Sequence, residues 1–244
     1  MNNSYDLIVV GAGPAGLLAA KAAAEVGLQV AVLEKKGDPH KLARACGQTL
    51  ISMNEPYMGN ICYYNERDHR VVFPQDGFSF KYEGPYQNMY NLLLVTNDGH
   101  VVTFGDYQKQ KSMGSFGRVG CTFDKEFFFA GMISELKGLG VKVIGGVNVE
   151  RAINKEDHVV VEGSDQSFKA SYVIGADGAN SRVAASVGMN EGRYFYCVFY
   201  GISHYVKNVS GLLPDQVVRV SAHYLKDGAE IGRASCRERV YVLV

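Results

Sequence analysis

Apolar positions are clustered at the amino terminus of this chain. Residues 7–10 (Leu-Ile-Val-Val) form a short continuous apolar run, residues 17–26 are dominated by alanine and leucine, and residues 30–33 (Val-Ala-Val-Leu) form a second run. Short apolar runs bounded by glycine predict buried strands, and an alanine-rich segment between them predicts a helix, so 5–34 is expected to be a β-α-β unit. From about 50 to 120 helical periodicity disappears and Tyr, Phe and Gly become frequent. The runs 91–95 and 100–104 flank Thr96, Asn97, Asp98 and Gly99, residue types that tolerate positive φ, so a hairpin is expected within an antiparallel, sheet-rich insertion. Helical spacing returns after Asp124, a candidate N-cap, with Phe128, Met132, Ile133, Leu136 and Leu139 on one face and with Gly138 and Gly140 to stop it. Short strands are expected at 141–144, 147–153, 158–162 and 172–175, a short helix at 180–187, and aromatic strands at 194–206 and 216–225. There are no internal repeats and no long linker.

Between the first run and the alanine-rich segment lie Gly11, Ala12, Gly13, Pro14, Ala15 and Gly16. A strand, a tight glycine turn and a helix in that order aim unpaired N–H groups and the positive end of the helix dipole at a phosphate. In this pattern the first glycine lets the chain reverse, the second lets backbone approach a pyrophosphate, and the third lets the helix pack close on the strand. Glu34 ends the second apolar run 18 positions after Gly16, where a carboxylate meets a ribose 2′-OH. A glycine-rich turn without a ligand is the alternative, and the turn alone does not separate NAD from FAD. An NAD dehydrogenase continues in further β-α-β units, whereas here loop and antiparallel texture follow Glu34.

Composition narrows the field. The 244 residues are 47% hydrophobic and 20% charged, enough for one large domain or two interleaved ones. Formal net charge is zero, so nothing favours nucleic acid. No apolar run reaches bilayer-spanning length, and residues 1–6 lack a basic region of the kind that opens a signal peptide, so a cytoplasmic location is expected. The cysteines, at 46, 62, 121, 197 and 236, are odd in number and lack Cys-x-x-Cys spacing. That suggests a reducing compartment, with neither a disulfide framework nor a zinc site, and the six dispersed histidines suggest no metal.

Taken together, the 11–16 turn with Glu34, the run Arg44, Ala45, Cys46 and Gly47, the Phe123-Asp124 pair before a helix, and residues 176–182 (Ala-Asp-Gly-Ala-Asn-Ser-Arg) resemble the flavoproteins that include aromatic hydroxylases and geranylgeranyl reductases. The Arg-x-Cys-Gly element resembles the reductase branch more. The resemblance spans about 5–225 and implies an α/β fold: a Rossmann-like FAD-binding domain of the GR2 type, with a parallel sheet and a β-meander, interleaved with an antiparallel-sheet substrate domain. It places 1–50 and 118–190 in the first domain and 51–117 and 191–229 in the second. FAD would contact Gly11, Gly13, Pro14, Ala15, Gly16, Glu34 and Lys35 at the amino terminus, then Arg44, Ala45, Cys46, Gly47, Arg118, Val149, Asp177 and Gly178.

Each of these positions also has a plainer reading. Arg44 is equally a solvated arginine beside Lys41, and the alternative for residues 177–181 is a plain turn in which Asn180 or Ser181 caps a helix. Cys46, which the resemblance sets near the flavin ring as the catalytic candidate, is equally a small buried hydrophobe. The aromatic strands line an apolar cavity or are ordinary sheet. Gln48 stands where the family commonly has a further glycine.

The implied activity is reduction of FAD by NAD(P)H or another electron donor, followed by hydride transfer to a C=C bond of an isoprenoid-like lipid, with transient contact at a membrane surface. An aromatic monooxygenase using O2 and a non-catalytic binder of the Rab-escort kind are the alternatives. Residues 230–240 (Glu-Ile-Gly-Arg-Ala-Ser-Cys-Arg-Glu-Arg-Val) match neither strand nor helix patterning and resemble a translated sequencing adapter, so 230–244 is expected to be a non-native tail on a truncated product. The other reading is a native basic loop before a strand at 241–244.

Overall fold

The structure, a computed structural model, describes residues 4–42, 48–51, 61–95, 99–192, 201–205, 215–225, 228–235 and 239–243. Its contacts divide the chain into one unit of 1–41, 80–83 and 126–195 and another of 42–79, 84–125 and 196–244.

The first unit begins with the expected crossover: β1 (Ser4–Val10), α1 (Pro14–Glu25) and β2 (Val30–Glu34). It resumes with α2 (Lys125–Gly138), β3 (Lys142–Gly145), β4 (Val149–Asn154), β5 (Val159–Gly163), β6 (Ser167–Gly175) and α3 (Arg182–Ser186). The sheet order is β3-β2-β1-β6-β5-β4. The four strands from β3 to β6 run parallel, and β6, β5 and β4 form an antiparallel meander. All five residues of β2 are buried, as a strand covered on both faces requires. One face of the sheet closes a core of Ile8, Val10, Leu33, Val161, Phe168 and Val183.

The helices bury the residues that their pattern marks, with two differences. On α2, Phe128, Met132, Ile133 and Leu136 are buried as expected, Phe129 joins them, and Leu139, just past the helix, is 42% exposed. On α1 the buried stripe contains Lys21, which pairs with Glu25 one turn on and lies 3.7 Å from Glu135 of α2. Glu135 Oε1 also accepts the Lys81 N–H at 2.8 Å. This charge cluster joins α1, α2 and the 80–83 segment. Gly131 is what admits that segment, because a Cβ there would lie 2.9 Å from the Lys81 carbonyl oxygen.

The second unit is mainly sheet. Gly120–Phe123 pairs antiparallel with Thr49–Ile51 on one side and Tyr86–Met89 on the other. A larger sheet has the order Gly201–Tyr205, Arg239–Leu243, Gly228–Ser235, Gln216–Leu225, Asn91–Val95, Val101–Phe104. A third contains Tyr63–Asn65, Arg70–Phe73 and Phe78–Lys81. The expected hairpin forms in the register Leu92↔Phe104 to Val95↔Val101, and Gly99 takes φ +86°.

Four features depart from the sequence expectation. Gln216–Leu225 runs parallel to Asn91–Val95, so this sheet is not purely antiparallel. A short helix, Tyr107–Ser112, interrupts the insertion. It has no apolar stripe and rests instead on its cap, where Asp106 accepts the Lys109 N–H at 3.1 Å, and on Asp215, which takes a hydrogen bond from Tyr107 and an ion pair from Lys111. Residues 48–51 and 118–125 fall in the second unit by contact, because Thr49–Ile51 and Gly120–Phe123 are ladder partners. The segment after 230 supplies two strands, Gly228–Ser235 and Arg239–Leu243, which pair with each other. The expected aromatic strand at 194–200 lies outside the described residues.

Phe168, at 2% exposure, tests the first unit's core. Phe168→Ala is expected to cost about 3–5 kcal/mol in urea unfolding. A loss below about 1 kcal/mol would contradict its placement.

Candidate cofactor site

The site grows out of the parallel pairing of β1 with β6. The Ala176 N–H donates to the Val10 carbonyl at 2.8 Å, and the Gly11 N–H donates to Leu33 at 2.7 Å, so the ladders run on into the turns. The turn after β1 and the turn after β6 therefore sit side by side. Gly11 has φ +105°, and a Cβ on it would lie 2.4 Å from the Ala176 carbonyl oxygen. A Cβ on Gly16 would lie 1.9 Å from the Gly11 oxygen, so the first turn of α1 packs onto the strand end itself. Gly13 is different: its Cβ position meets no atom of the described residues within 4 Å. Pro14 opens α1 at a position whose N–H would have no partner within the helix, and no side chain caps the helix from Gly13.

Glu34 is buried at the end of β2. Its Oε2 accepts the Ala12 N–H at 2.8 Å and its Oε1 accepts the Lys36 N–H at 3.0 Å. The acid thus holds the glycine turn while its remaining lone pairs stay available for a hydroxyl. Lys35 beside it is exposed. The Val147 N–H donates to the Glu34 carbonyl at 2.9 Å, which brings the start of β4 alongside. The Val149 side chain is packed in the core.

On the β6 side, Asp177 Oδ2 accepts the Arg182 and Val183 N–H groups at 2.7 and 3.3 Å, while Ser181 Oγ accepts the Ala184 N–H at 2.9 Å as the N-cap of α3. The capping alternative therefore holds for Ser181, and Asp177 shares in it. Gly178 takes φ +85°. Asp177 Oδ1, however, is buried with no hydrogen-bond partner among the described residues. An oxygen in that condition costs stability unless a further donor meets it.

These observations fit the dinucleotide part of FAD. Among the described residues there is open space beside Gly13, a helix N-terminus with no side-chain cap, an anchored carboxylate at Glu34, and an unmatched acceptor at Asp177 in the neighbouring turn. Sequence spacing marked all of these groups except the unmatched state of Asp177 Oδ1. No local signal in the sequence shows which lone pairs the fold leaves empty.

The remaining candidates are placed otherwise. Arg118 lies buried in the second unit, where it donates to Asn88 Oδ1 at 3.1 Å and the Tyr64 carbonyl at 3.3 Å and lies 3.9 Å from Glu66. Cys62 and Cys121 lie near it, and burial pushes their thiols up to about 11 and about 12 against the opposing pull of Arg118. Both are thiols at neutral pH, not nucleophiles. Arg44, Ala45, Cys46 and Gly47 lie outside the described residues. Among the described residues no cluster of three His, Cys, Asp or Glu is arranged to hold a metal, and no helix is long and apolar enough to cross a membrane.

Comparisons with known proteins agree with this geometry. Residues 6–101 match the FAD binding domain family. The chain is 27% identical over 245 residues to digeranylgeranylglycerophospholipid reductase 1 of Methanococcoides burtonii, covering 97% of this chain and 48% of that protein. It thus spans about half the length of this curated relative. Among solved structures it superposes on a geranylgeranyl bacteriochlorophyll reductase-like protein of Thermoplasma acidophilum with TM-score 0.67 and 17% identity, covering 100% of this chain and 57% of that one. It also superposes on the p-nitrophenol 4-monooxygenase of Pseudomonas putida with TM-score 0.61 and 17% identity, again covering 100% and 57%. In sequence the chain is thus similar to a digeranylgeranylglycerophospholipid reductase over nearly its whole length, residues 6–101 match the FAD binding domain family, and the fold is similar to that of a reductase-like protein and of an aromatic monooxygenase.

Proposed function

We propose that the full-length protein is an FAD-dependent oxidoreductase that reduces C=C bonds of an isoprenoid-like lipid. The observation that carries the cofactor half of this reading is the pairing of two turns: the Gly11–Gly16 loop held by Glu34, and the Asp177 turn with its unmatched oxygen. The Ala15 and Gly16 N–H groups at the start of α1 hold the pyrophosphate, Glu34 accepts from the adenosine ribose, and Asp177 Oδ1 accepts from a hydroxyl further along the cofactor. When bound and reduced, FAD supplies the hydride, and the electrons come from NAD(P)H or another small donor.

The substrate half is supported by the relatives and by the Arg44–Gly47 element. In this reading Arg44 contacts the cofactor, and Cys46 lies against the flavin, where it shapes the site or delivers a proton. Val149 adds a backbone contact to the cofactor, whereas Arg118 serves the second unit through Asn88 and the Tyr64 carbonyl. A lipid substrate brings the protein to a membrane surface transiently. Aromatic hydroxylation remains the second reading, favoured by the fold shared with the p-nitrophenol 4-monooxygenase.

The glycines separate cofactor binding from folding. Gly13 has φ −75° and open space at its Cβ, so Gly13→Val is expected to leave the fold intact and to weaken FAD binding about 100-fold, roughly 2.7 kcal/mol. Gly16→Ala meets backbone and is expected to destabilise the fold itself by several kcal/mol, of order 4. Equal FAD affinity in Gly13→Val and wild type, read by fluorescence titration, would remove the pyrophosphate assignment. For the reaction, full-length protein is expected to purify yellow, bleach with NADPH under argon, and reoxidise on adding a polyprenyl acceptor without consuming oxygen. Reoxidation only by O2, with an aromatic substrate hydroxylated, would favour the second reading.

A further inference from the structure

We infer that Lys36 is a positioning residue for Glu34: by closing the 36–41 loop on itself, it holds the carboxylate in the orientation that accepts from the adenosine 2′-hydroxyl. The inference rests on the proposed function only in naming that hydroxyl as the partner of Glu34. The hold on the carboxylate stands on geometry, and every residue in it belongs to the first unit.

Two N–H groups fix Glu34. The Ala12 N–H reaches Oε2 at 2.8 Å and the Lys36 N–H reaches Oε1 at 3.0 Å. Ala12 sits in the turn that Gly11 packs against Ala176. Lys36 has no such support from a strand: β2 ends at Glu34, and the last ladder pair is Gly145↔Glu34. Its N–H must be aimed by other contacts, and three are present. The Lys36 carbonyl accepts the Gly146 N–H at 2.9 Å. Gly145 lets the two chains approach, because a Cβ there would lie 2.9 Å from the Lys36 oxygen and 2.6 Å from the Gly37 oxygen. The Lys36 side chain turns back along the loop. Its Nζ donates to the Lys41 carbonyl at 2.7 Å and to the Pro39 carbonyl at 3.4 Å, and lies 5.2 Å from the centre of the buried Phe129 ring on α2.

The loop also has a turn of its own. Asp38 Oδ1 accepts the His40 N–H at 2.9 Å, and the Lys41 N–H donates to the Asp38 carbonyl at 3.3 Å. Lys41 Nζ lies 3.3 Å from Glu126 Oε2 of α2. Lys36 joins the far end of this loop to the residue that grips Glu34. An ammonium suits the role, because it brings three donors and a charge that an aromatic face attracts. Lys35, the lysine that the sequence marks, is exposed, whereas its half-buried neighbour is bound on both its backbone and its side chain. With each Glu34 oxygen held by one N–H, the remaining lone pairs keep a fixed direction, and a hydroxyl that meets them need not first order the acid. Release of the loop frees the Lys36 N–H and lets the carboxylate turn.

The test compares FAD with its 2′-deoxyadenosine analogue on the full-length protein by fluorescence titration. Wild type is expected to prefer FAD about tenfold, the size of one hydrogen bond to a charged acceptor. Lys36→Met keeps the apolar stem against Phe129 and removes the ammonium. It is expected to bind FAD about fivefold more weakly and the deoxy analogue within about twofold of wild type, so the preference collapses. Lys36→Arg keeps a cation for the two carbonyls and is expected to restore the preference. Amide hydrogen exchange in the apoprotein needs no cofactor. The Lys36 and Ala12 amides are expected to exchange about fivefold faster in Lys36→Met, with the Val9 amide of β1 unchanged. The inference is overturned if both cofactors lose affinity equally, as general loosening would cause, if Lys36→Met keeps the full preference, or if the two amides exchange as in wild type. A wild type that binds both cofactors equally removes the ribose assignment of Glu34, and faster exchange of the two amides in Lys36→Met then still upholds the hold of Lys36 on the carboxylate.

Discussion

Everything at the cofactor site depends on how closely two backbone turns approach. β1 and β6 run parallel and side by side, and the Val10–Ala176 hydrogen bond extends that pairing past the last strand residues. The approach is closer than any side chain would permit at Gly11 or at Gly16. Once the turns are in contact, the start of α1, the acid at the end of β2 and the carboxylate after β6 converge without further adjustment. The glycines divide the work. Gly11 and Gly16 are required by the protein's own packing, whereas Gly13 leaves space that none of the described residues fills.

The electrostatics follow from that packing. A helix N-terminus presents partial positive charge, and Glu34 spends one lone pair of each oxygen on backbone N–H groups rather than on a cation. The acid stabilises the loop, keeps a fixed orientation, and retains acceptor capacity. Asp177 does the same on one oxygen only. A buried acceptor with no partner among the described residues is the kind of local cost that a bound hydroxyl or amide removes.

Much of this was legible in the sequence because it is encoded locally. The β-α-β crossover, the hairpin around Gly99, the apolar stripe of α2 and the run into Asp177 each come from contiguous residues with one period. What escaped is encoded by distant partners. Tyr107–Ser112 has no stripe and is held by Asp106 and by Asp215, more than a hundred positions away. Gly120–Phe123 is too short to show alternation and exists through its ladder neighbours, which also draws 118–125 into the second unit. Lys21 sits on a buried face because Glu25 and Glu135 meet it there. Gln48 stood out only as a departure from a glycine pattern, whereas it takes φ +45° and its side chain accepts the Lys125 N–H, a partner 77 positions away.

The central claim is that the amino-terminal turn seats the diphosphate of FAD. Amide chemical-shift changes in the full-length apoprotein on addition of FAD test it directly. The account predicts that the largest shifts fall at Gly13, Ala15, Gly16 and Gly178. Saturating FAD that leaves those four amides in place, while others move, would contradict it.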